Sequence, residues 1–320
     1  MNNVLILSAG RRVELVQAFQ QEIRNLLPGS IVIAADMSPG LSAACQVADH
    51  AIAVPRIDSG HYVDYVLEQS IRHHISLVVP TIDTELLLLA QERERFASMG
   101  VSLVVSDMEL VTACRDKRKT KTLFESLGID TPAIYPRDRI EFPCFVKPYD
   151  GSSSIGAAVI RDRSMLSNQM WHDNKLIFME LLDRSWTEYT VDVYFDRHGI
   201  LKCLVPRQRI ETRGGEVSKG VTRRNHLYDY LLTKLTCLTG ARGCITMQIF
   251  ADLSNEHFSA IELNPRFGGG YPLSYSAGAN FPGWLLREYI LNEQIPSFDL
   301  WKKDLLMLRY DAKVLIDNAG

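Results

Sequence analysis

The segment Ile261-Glu262-Leu263-Asn264-Pro265-Arg266-Phe267-Gly268-Gly269-Gly270 places two oxygen-bearing side chains, a cation and three glycines directly after a predicted strand. Glu262 and Asn264 are two positions apart, so on a strand both side chains point to one face. Gln248, on the preceding predicted strand, can supply a third oxygen. Oxygen ligands on one face suit Mg²⁺, which takes few protein ligands and keeps water and phosphate oxygens. Arg266 beside them can neutralise a transferred phosphoryl group, whereas an ordinary β-turn with polar ends explains the segment poorly.

A second motif, Phe145-Val146-Lys147-Pro148-Tyr149-Asp150-Gly151-Ser152-Ser153-Ser154-Ile155-Gly156, delivers a lysine at the end of a predicted strand and continues as a loop of Gly and Ser. Such a loop offers backbone N–H groups and hydroxyls to phosphate oxygens, and Lys147 adds a point charge. A solvated linker that contains a stray lysine is the alternative, and this motif alone leaves both interpretations open.

Two acids mark the ends of neighbouring strands in the next part of the chain. Glu180 ends the predicted strand that leads into Leu181-Leu182, and Glu188 opens the following strand eight positions later. Extended backbone beside an apolar slot can pair with an adenine edge, and a carboxylate can accept ribose hydroxyls. Two solvated carboxylates at strand ends remain the simpler alternative.

The basic stretch from Arg207 to Arg224 lies between the last pairs of predicted strands. Its charge argues against burial in a core. We expect either a solvated surface loop or a loop that recognises a carboxylate or phosphate through bidentate arginine contacts. Arg207 is the candidate catalytic residue within this stretch, and Arg213 is a further candidate for substrate binding.

The spacing of apolar residues differs between the N-terminal and the C-terminal parts of the chain. Short Val/Ile/Leu-rich runs alternate with amphipathic helices up to about residue 105, which predicts a parallel, doubly wound α/β sheet. The pattern predicts one helix over Thr84–Met99 and another over Asp162–Trp171. After Glu188 the strands pair as antiparallel hairpins, with a turn at Asp196–Gly199.

The first strand ends in Ser8-Ala9-Gly10, where a nicotinamide-binding domain would carry three glycines but this chain has one. Asp36 ends the second strand, where a ribose-binding acid often lies, but this single acid is a weak signal. We therefore favour a Rossmann-like domain without a nicotinamide cofactor, and we keep a nicotinamide-dependent reductase as a rival.

Composition narrows the class of protein. The formal net charge of −3 argues against a nucleic-acid partner that is bound through overall positive charge. No apolar run approaches the ~18 residues of a membrane span, and the N-terminus does not resemble a signal peptide. None of the six cysteines forms a C-x-x-C pair. We expect reduced thiols in a cytoplasmic protein with no membrane partner.

Together these motifs resemble the ATP-grasp superfamily, within it the branch of the carbamoyl phosphate synthetase large subunit, over nearly the whole chain. The resemblance implies an α/β plus α+β fold with a single grasp unit. It divides the chain into a Rossmann-like pre-ATP-grasp domain over residues 1–105, a lid and nucleotide-binding subdomain over 106–185, and a C-terminal catalytic subdomain over 186–320.

The resemblance also implies roles for individual residues. Phosphates of ATP would be bound by Lys117 and Lys147, and the loop Ser152, Ser153, Ser154 to Gly156 would close over them. Glu180 and Leu182 would form the adenine hinge, and Glu188 would bind the ribose. Gln248, Glu262 and Asn264 would hold the metal, and Arg266 would face the γ-phosphate. Many ligases of the superfamily carry an acid in place of Gln248, which weakens one metal contact here.

The activity implied by the resemblance is ATP-dependent ligation of a carboxylate to an amine through an acyl phosphate, with ATP and Mg²⁺, or Mn²⁺, as cofactors. The partners would be small carboxylate and amine substrates, and a homodimer is plausible. Two alternatives from the same resemblance stay open: a carbamoyl-phosphate-type enzyme that activates bicarbonate, and a non-catalytic ATP-binding subunit.

Overall fold

The computed structural model describes residues 1–151, 155–183 and 185–317. Ser152, Ser153 and Ser154, part of the predicted phosphate loop, lie outside the described residues. The described residues form three sheets.

The first sheet confirms the predicted parallel, doubly wound arrangement. Its strands run in the order β3-β2-β1-β4-β5 and all pair in parallel. Their bounds are β1 Asn3–Ile6, β2 Val32–Asp36, β3 His50–Ala53, β4 Ile75–Val79 and β5 Ser102–Leu103. Between them lie α1 Val13–Leu26, α2 Ala43–Val47, α3 Tyr62–Arg72, α4 Asp83–Gln91 and α5 Arg93–Ser98.

Alternate residues of β1 enter different cores, as expected of a strand with helices on both faces. Val4 and Ile6 pack with residues of α1, and Leu5 packs with residues of α3. The α1 face continues into the core of the C-terminal sheet, where the rings of Phe19 and Phe267 lie 6.2 Å apart. The N-terminal domain and the C-terminal sheet therefore share one core.

Two helices and a small antiparallel sheet follow. The helices are α6 Met108–Arg115 and α7 Lys117–Ser126. The sheet has the order β6-β9-β7-β8, with β6 Ile134–Tyr135, β7 Cys144–Pro148, β8 Ala158–Ile160 and β9 Leu176–Glu180. The short helix α8 Asn168–His172 lies between β8 and β9.

The largest sheet is antiparallel, in the order β14-β13-β10-β11-β12-β15. Its strands are β10 Thr187–Phe195, β11 Leu201–Arg213, β12 Glu216–Thr222, β13 Gly243–Asp252, β14 His257–Asn264 and β15 Leu306–Leu308. Helices α9 His226–Leu235, α10 Pro272–Ser276 and α11 Phe281–Tyr289 complete this part. The predicted hairpin turn at Asp196–Gly199 connects β10 and β11.

Two predicted helices are wrong in extent. The helix expected over Thr84–Met99 is interrupted at Glu92, which leaves helical geometry at ψ 7°. A second short helix, α5, follows it and buries Phe96 completely. The helix expected over Asp162–Trp171 is a single 3₁₀ turn followed by α8. The Asp162 and Ser167 side chains accept backbone N–H groups there and start each turn separately.

The basic stretch expected as a loop is instead the hairpin β11–β12. Gly214 and Gly215, at φ +57° and +80°, form its turn. Such paired positive φ angles match the right-handed twist of the two strands.

Other described features agree with the composition. None of the described helices combines the length and the apolar character needed to span a membrane. All six cysteines are free, and four of them are buried.

Candidate active site

A cavity of about 450 Å³ lies between the small sheet and the large sheet. Apolar side chains from both sheets form its walls, among them Phe145, Val159, Met179, Phe250 and Ile261. Its lining also includes most of the residues predicted to bind ATP and two of the three predicted metal ligands, namely Lys117, Lys147, Glu180, Leu182, Glu188, Gln248 and Glu262. The fold therefore brings predicted residues that are up to 145 positions apart into one cavity, called the slot below.

Two lysines face this cavity from different elements. Lys147 is the second-last residue of β7, and Lys117 is the first residue of α7. Lys117 donates a hydrogen bond through Nζ to the Gly151 carbonyl, whereas Lys147 forms no ion pair with the described residues. Burial, and then the charge of Lys117, lower the pKa of Lys147 to about 8. Two cations held together in a partly desolvated slot favour the binding of a polyanion.

The end of β9 forms the rim of the same cavity. The Glu180 N–H donates to the Ala133 carbonyl at 2.9 Å, and the Ala133 N–H donates to Glu180 Oε2 at 3.1 Å. This double contact fixes the point where Leu181 and Leu182 leave the sheet and line the cavity. Ile155 and Ala157 also line the cavity, and Gly156 between them is exposed to solvent.

Glu188 lies at the start of β10, on the opposite side of the cavity. Its carboxylate is 3.4 Å from Arg209 Nη1. Burial raises the pKa of Glu188, and the charge of Arg209 opposes that rise. A desolvated carboxylate of this kind is a suitable acceptor for ligand hydroxyl groups.

The three predicted metal ligands lie on adjacent strands. In the β13–β14 register, Gln248 is opposite Glu262 and Thr246 is opposite Asn264. With its amide oriented to satisfy both neighbours, Gln248 donates to Glu262 Oε2 at 3.3 Å and accepts from Arg209 Nη1 at 3.3 Å.

The donor set of Gln248, Glu262 and Asn264 fits Mg²⁺ because all three side chains offer oxygen ligands, but it includes a single carboxylate. It offers one carboxylate and two amide oxygens, and Mg²⁺ is usually held by one or two carboxylates together with substrate phosphates and water. Among residues 1–151, 155–183 and 185–317, no group of three or more His, Cys, Asp and Glu could hold a metal ion by itself. The residues therefore suit a cation that arrives with a phosphate ligand.

A second cavity, of about 410 Å³, adjoins the first. Arg209, Gly215, Gln248 and Glu262 line both, so the predicted metal ligands form part of the shared wall. Its lining also includes Asn264, the three glycines of the motif at 268–270, and five arginines, which are Arg12, Arg115, Arg207, Arg209 and Arg266. A chamber with this lining is suited to anionic ligands.

Arg266, predicted to face the γ-phosphate, lies in this second cavity and is held by a residue from the first domain. Its Nε and Nη2 donate to the two carboxylate oxygens of Asp83 at 2.9 and 2.6 Å. Asp83 begins α4, directly after β4. The paired geometry fixes the guanidinium plane at the mouth between the two domains.

Arg207 corrects the expectation that charge keeps the whole basic stretch out of the core, since the residue is 1% exposed. Its Nε and Nη2 donate to Asp192 at 2.7 and 3.0 Å, and Ser274 Oγ donates to the same carboxylate at 2.6 Å. A Cβ on Gly270 would overlap the Arg207 guanidinium, so glycine at this position allows the backbone to approach it. Burial is possible because the charge is paired and hydrogen-bonded.

Three arginines of the basic stretch, Arg213, Arg223 and Arg224, line neither cavity. Arg213 is 3.5 Å from Asp311, an exposed pair at the hairpin. Arg223 and Arg224 contact Asp304 and Asp299, at 2.6 and 2.9 Å. The stretch therefore does not form a single recognition loop, and of its arginines Arg207 and Arg209 line the second cavity.

Four charged lining residues of the second cavity were not predicted from the sequence, namely Arg12, Asp83, Arg115 and Glu216. Arg12 follows the loop after β1 and Asp83 follows β4, at the edge of a parallel sheet where ligands commonly bind. Arg115 ends α6, two positions before Lys117. The position of Arg12 and Asp83 after strand ends was a usable signal, but no local pattern joins these residues to the distant motif at 261–270.

Comparison with known proteins gives two family matches. Residues 4–104 match the family described as PylC-like, N-terminal domain, and residues 172–307 match the family described as ATP-grasp in the biosynthetic pathway with Ter operon. A stretch of 63 residues is 48% identical to 3-methyl-D-ornithine–L-lysine ligase of Methanosarcina mazei. The match covers 20% of this chain and 16% of that protein, so it spans about a sixth of the curated relative.

Solved structures share the fold over almost the whole chain. The biotin carboxylase domain of the Hydrogenobacter thermophilus 2-oxoglutarate carboxylase, solved with MgADP, ADP and bicarbonate, superposes with a TM-score of 0.74 and 15% identity, over 95% of this chain and 73% of that one. An L-amino acid ligase from Bacillus licheniformis superposes with a TM-score of 0.68 and 16% identity, over 90% of this chain and 74% of that one. At these identities the likeness establishes the fold.

Proposed function

Because the chain is an ATP-grasp protein with a PylC-like N-terminal domain, we propose that it is an ATP-dependent carboxylate–amine ligase that releases ADP and phosphate. One observation carries the proposal: an apolar slot with two lysines and an arginine-rich chamber meet at a wall formed by Arg209, Gln248 and Glu262. A nucleotide in the slot would present its terminal phosphate to a carboxylate in the chamber.

The slot supports the assignment of ATP as the nucleotide substrate. Leu182 and its apolar neighbours suit the adenine, and Glu188 suits the ribose hydroxyls. Lys117 and Lys147 would bind the phosphates, and their mutual repulsion would be relieved by that charge. The loop at 152–156 would close over the phosphates and exclude water.

In the proposed first step, a carboxylate oxygen of the acid attacks the γ-phosphorus, and the bond between that phosphorus and the β,γ-bridging oxygen breaks. ADP leaves with the bond's electron pair, and an acyl phosphate remains. Lys147 and Arg266 would stabilise the charge that develops on the transferred phosphoryl oxygens.

In the second step, the amine nitrogen attacks the acyl carbon, loses a proton, and expels phosphate to leave an amide. Arg207 would bind the oxygens of the acid or of the acyl phosphate. The protein forms no covalent bond in either step and acts by positioning and fixed charge.

We propose Mg²⁺ as the metal, held by Gln248, Glu262 and Asn264, with Mn²⁺ as a substitute of similar ligand preference. When bound, the ion would neutralise phosphate oxygens. Titration with each metal, read as ADP release, tests this choice.

The domain limits at residues 1–105, 106–185 and 186–320 remain part of this proposal and are supported by the placement of one sheet within each. The six free thiols support a reducing compartment, and we propose that the protein acts in the cytoplasm on small molecules.

The experiment is ADP release from Mg·ATP by the purified protein, with bicarbonate alone, single amino acids and pairs of amino acids, and with Glu262→Ala as the blank. Turnover that requires an acid and an amine is the expected result. Turnover with bicarbonate alone would replace the proposal with carbamoyl-phosphate-type chemistry. ATP binding without turnover under every condition would favour a non-catalytic subunit.

A further inference from the structure

The second cavity has a wall that the large sheet does not supply. Arg12, Arg115 and the segment 81–84 line it from the N-terminal part of the chain. Arg12 follows β1, and the segment 81–84 follows β4. β1 and β4 are neighbours in the sheet. From β1 the chain adds β2 and β3 on one side and then β4 and β5 on the other, and ligands of open α/β sheets bind in the crevice at such a switch point.

The arginines of the cavity differ in how their charge is balanced. The three from the large sheet and the loop after it, Arg207, Arg209 and Arg266, each lie within 3.4 Å of a carboxylate. Arg12 and Arg115 form no ion pair with any residue that the structure describes. The cationic charge without a carboxylate partner therefore lies on the N-terminal wall.

Arg12 is also poorly solvated. Its Nη2 donates to the Thr81 carbonyl at 2.8 Å, and no other hydrogen bond of its side chain occurs among the described residues. Burial, and then the charge of Arg266, lower the pKa of Arg12 to about 10, against the opposing charges of Glu216, Asp83 and Glu85. A half-buried guanidinium beside a second one is stabilised when an anion binds next to it.

We propose that Arg12 and Arg115 bind an anionic group of the substrate in the second cavity, and that this group is separate from the carboxylate that is activated. The inference rests on the ligase function proposed above and specifies its substrate class. The group is a carboxylate or a phosphate ester, because these are the anions that the planar arginine fork binds with two parallel hydrogen bonds.

The size of the cavity limits the substrate. At about 410 Å³, it suits a molecule of the size of an amino acid or a short acidic metabolite. An amine substrate that is itself an amino acid would place its α-carboxylate against Arg12 and Arg115. Its amino group could then point to the shared wall, where the acyl phosphate forms.

The test measures binding without turnover, so that it does not depend on the ligase reaction. The protein is saturated with Mg²⁺ and a non-hydrolysable ATP analogue, and the thermal midpoint is followed as ligand is added. Three ligand sets are compared: amino acids with glutarate, the matching carboxamides, and O-phosphoserine with phosphoethanolamine. The variants are Arg12→Gln, Arg115→Gln and Arg12→Lys, and Arg24→Gln, an exposed position on α1, is the control.

We expect at least one anionic ligand to raise the midpoint of the wild type and of Arg24→Gln, and its neutral analogue to have no effect. In Arg12→Gln and Arg115→Gln the same ligand should bind about 10- to 100-fold more weakly, as expected for loss of a charged hydrogen-bond donor. Arg12→Lys should recover part of the affinity. A response to the carboxylates would identify the bound group as a carboxylate, and a response only to the phosphate esters would identify it as a phosphate ester.

Three results would overturn the inference: equal affinity in the glutamine variants, equal binding of the carboxamides, or no response of the wild type to any anionic ligand. The ligase proposal fails separately. If anions bind through Arg12 and Arg115 but no substrate pair releases ADP, the anion site stands and the ligase reaction does not. If Arg12→Gln and Arg115→Gln release ADP with an unchanged KM for the acid and for the amine, the ligase reaction stands and the anion site does not.

Discussion

Lys147→Met should make the protein without nucleotide more stable at pH 7 while it weakens nucleotide binding. Lys147 is half-buried near Lys117, and burial with that neighbouring charge lowers its pKa from 10.5 to about 8, against the opposing charge of Glu262. In the folded protein without a bound anion, the charged form of Lys147 is therefore less stable than it is in the unfolded chain. Methionine fills a similar volume without a charge.

The magnitude follows from the difference between the two pKa values. One pKa unit corresponds to 1.36 kcal/mol, so a fall from 10.5 to about 8 costs about 3 kcal/mol of folding free energy when the lysine is charged in both states. The unfolded chain binds the proton more tightly, so the cost is complete below about pH 8. It disappears as the pH rises from about 8 to 10.5.

The assay is urea unfolding of wild type and Lys147→Met between pH 7 and 10.5, with Lys119→Met, an exposed lysine on α7, as the control. The advantage of Lys147→Met should be largest at pH 7, up to about 3 kcal/mol, and should shrink through the window from pH 8 to 10.5. The control should stay within about 0.5 kcal/mol of the wild type at pH 7. A Lys147→Met variant that is less stable at pH 7, or an advantage that does not change with pH, would refute the reasoning.

Three further substitutions test other parts of the site. Glu262→Ala should lower kcat about 100- to 1000-fold with the circular dichroism spectrum unchanged, since it removes the carboxylate among the proposed metal ligands; near-normal turnover would contradict that assignment. Asp192→Ala should lower the free energy of unfolding by about 3–5 kcal/mol because it leaves the buried Arg207 unpaired, and a loss under 1 kcal/mol in urea would contradict the pairing. Asp83→Asn should lower kcat about 10- to 100-fold with little change in the KM for ATP, because it loosens the orientation of Arg266; an unchanged kcat would mean that Arg266 needs no such support.

The local motifs could be predicted from the sequence because their information lies within a few residues. The i, i+2 spacing of Glu262 and Asn264 defines one face of a strand regardless of what surrounds it. The apolar runs near the N-terminus likewise indicate strands buried on both faces, and the described sheet has that arrangement. Local patterning therefore located the face with Glu262 and Asn264 and the type of sheet, whereas Lys117 and Leu182 were predicted only through the resemblance to the ATP-grasp superfamily.

Contacts between distant parts of the chain could not be predicted in this way. Asp83 and Arg266 are 183 positions apart, and only the packing of the first domain on the large sheet brings them together. Arg207 was expected outside the core because an unpaired charge is costly to bury. Its partner Asp192 lies on the neighbouring strand, where β10 and β11 place Val205 opposite Asp192 and Thr190 opposite Arg207.

One sequence signal was available and was not used. Charged residues occupy alternate positions at Arg207, Arg209, Glu211 and Arg213, which is the period of a strand. The strand was predicted over Ile200–Arg209, but the residues beyond Arg209 were interpreted by their charge and not by their period, and so they were expected to form a loop. In the structure those residues lie on β11.

The central claim is that a carboxylate is activated by phosphoryl transfer at the wall shared by the two cavities. The direct measurement uses an acid substrate from the ADP-release panel, labelled with ¹⁸O in its carboxylate, and determines by mass spectrometry where the label goes. An acyl phosphate requires one carboxylate oxygen to leave with the phosphate, so we predict one ¹⁸O atom in each phosphate released and none in ADP. Released phosphate that carries no label, with amide formed at the same rate, would contradict the account.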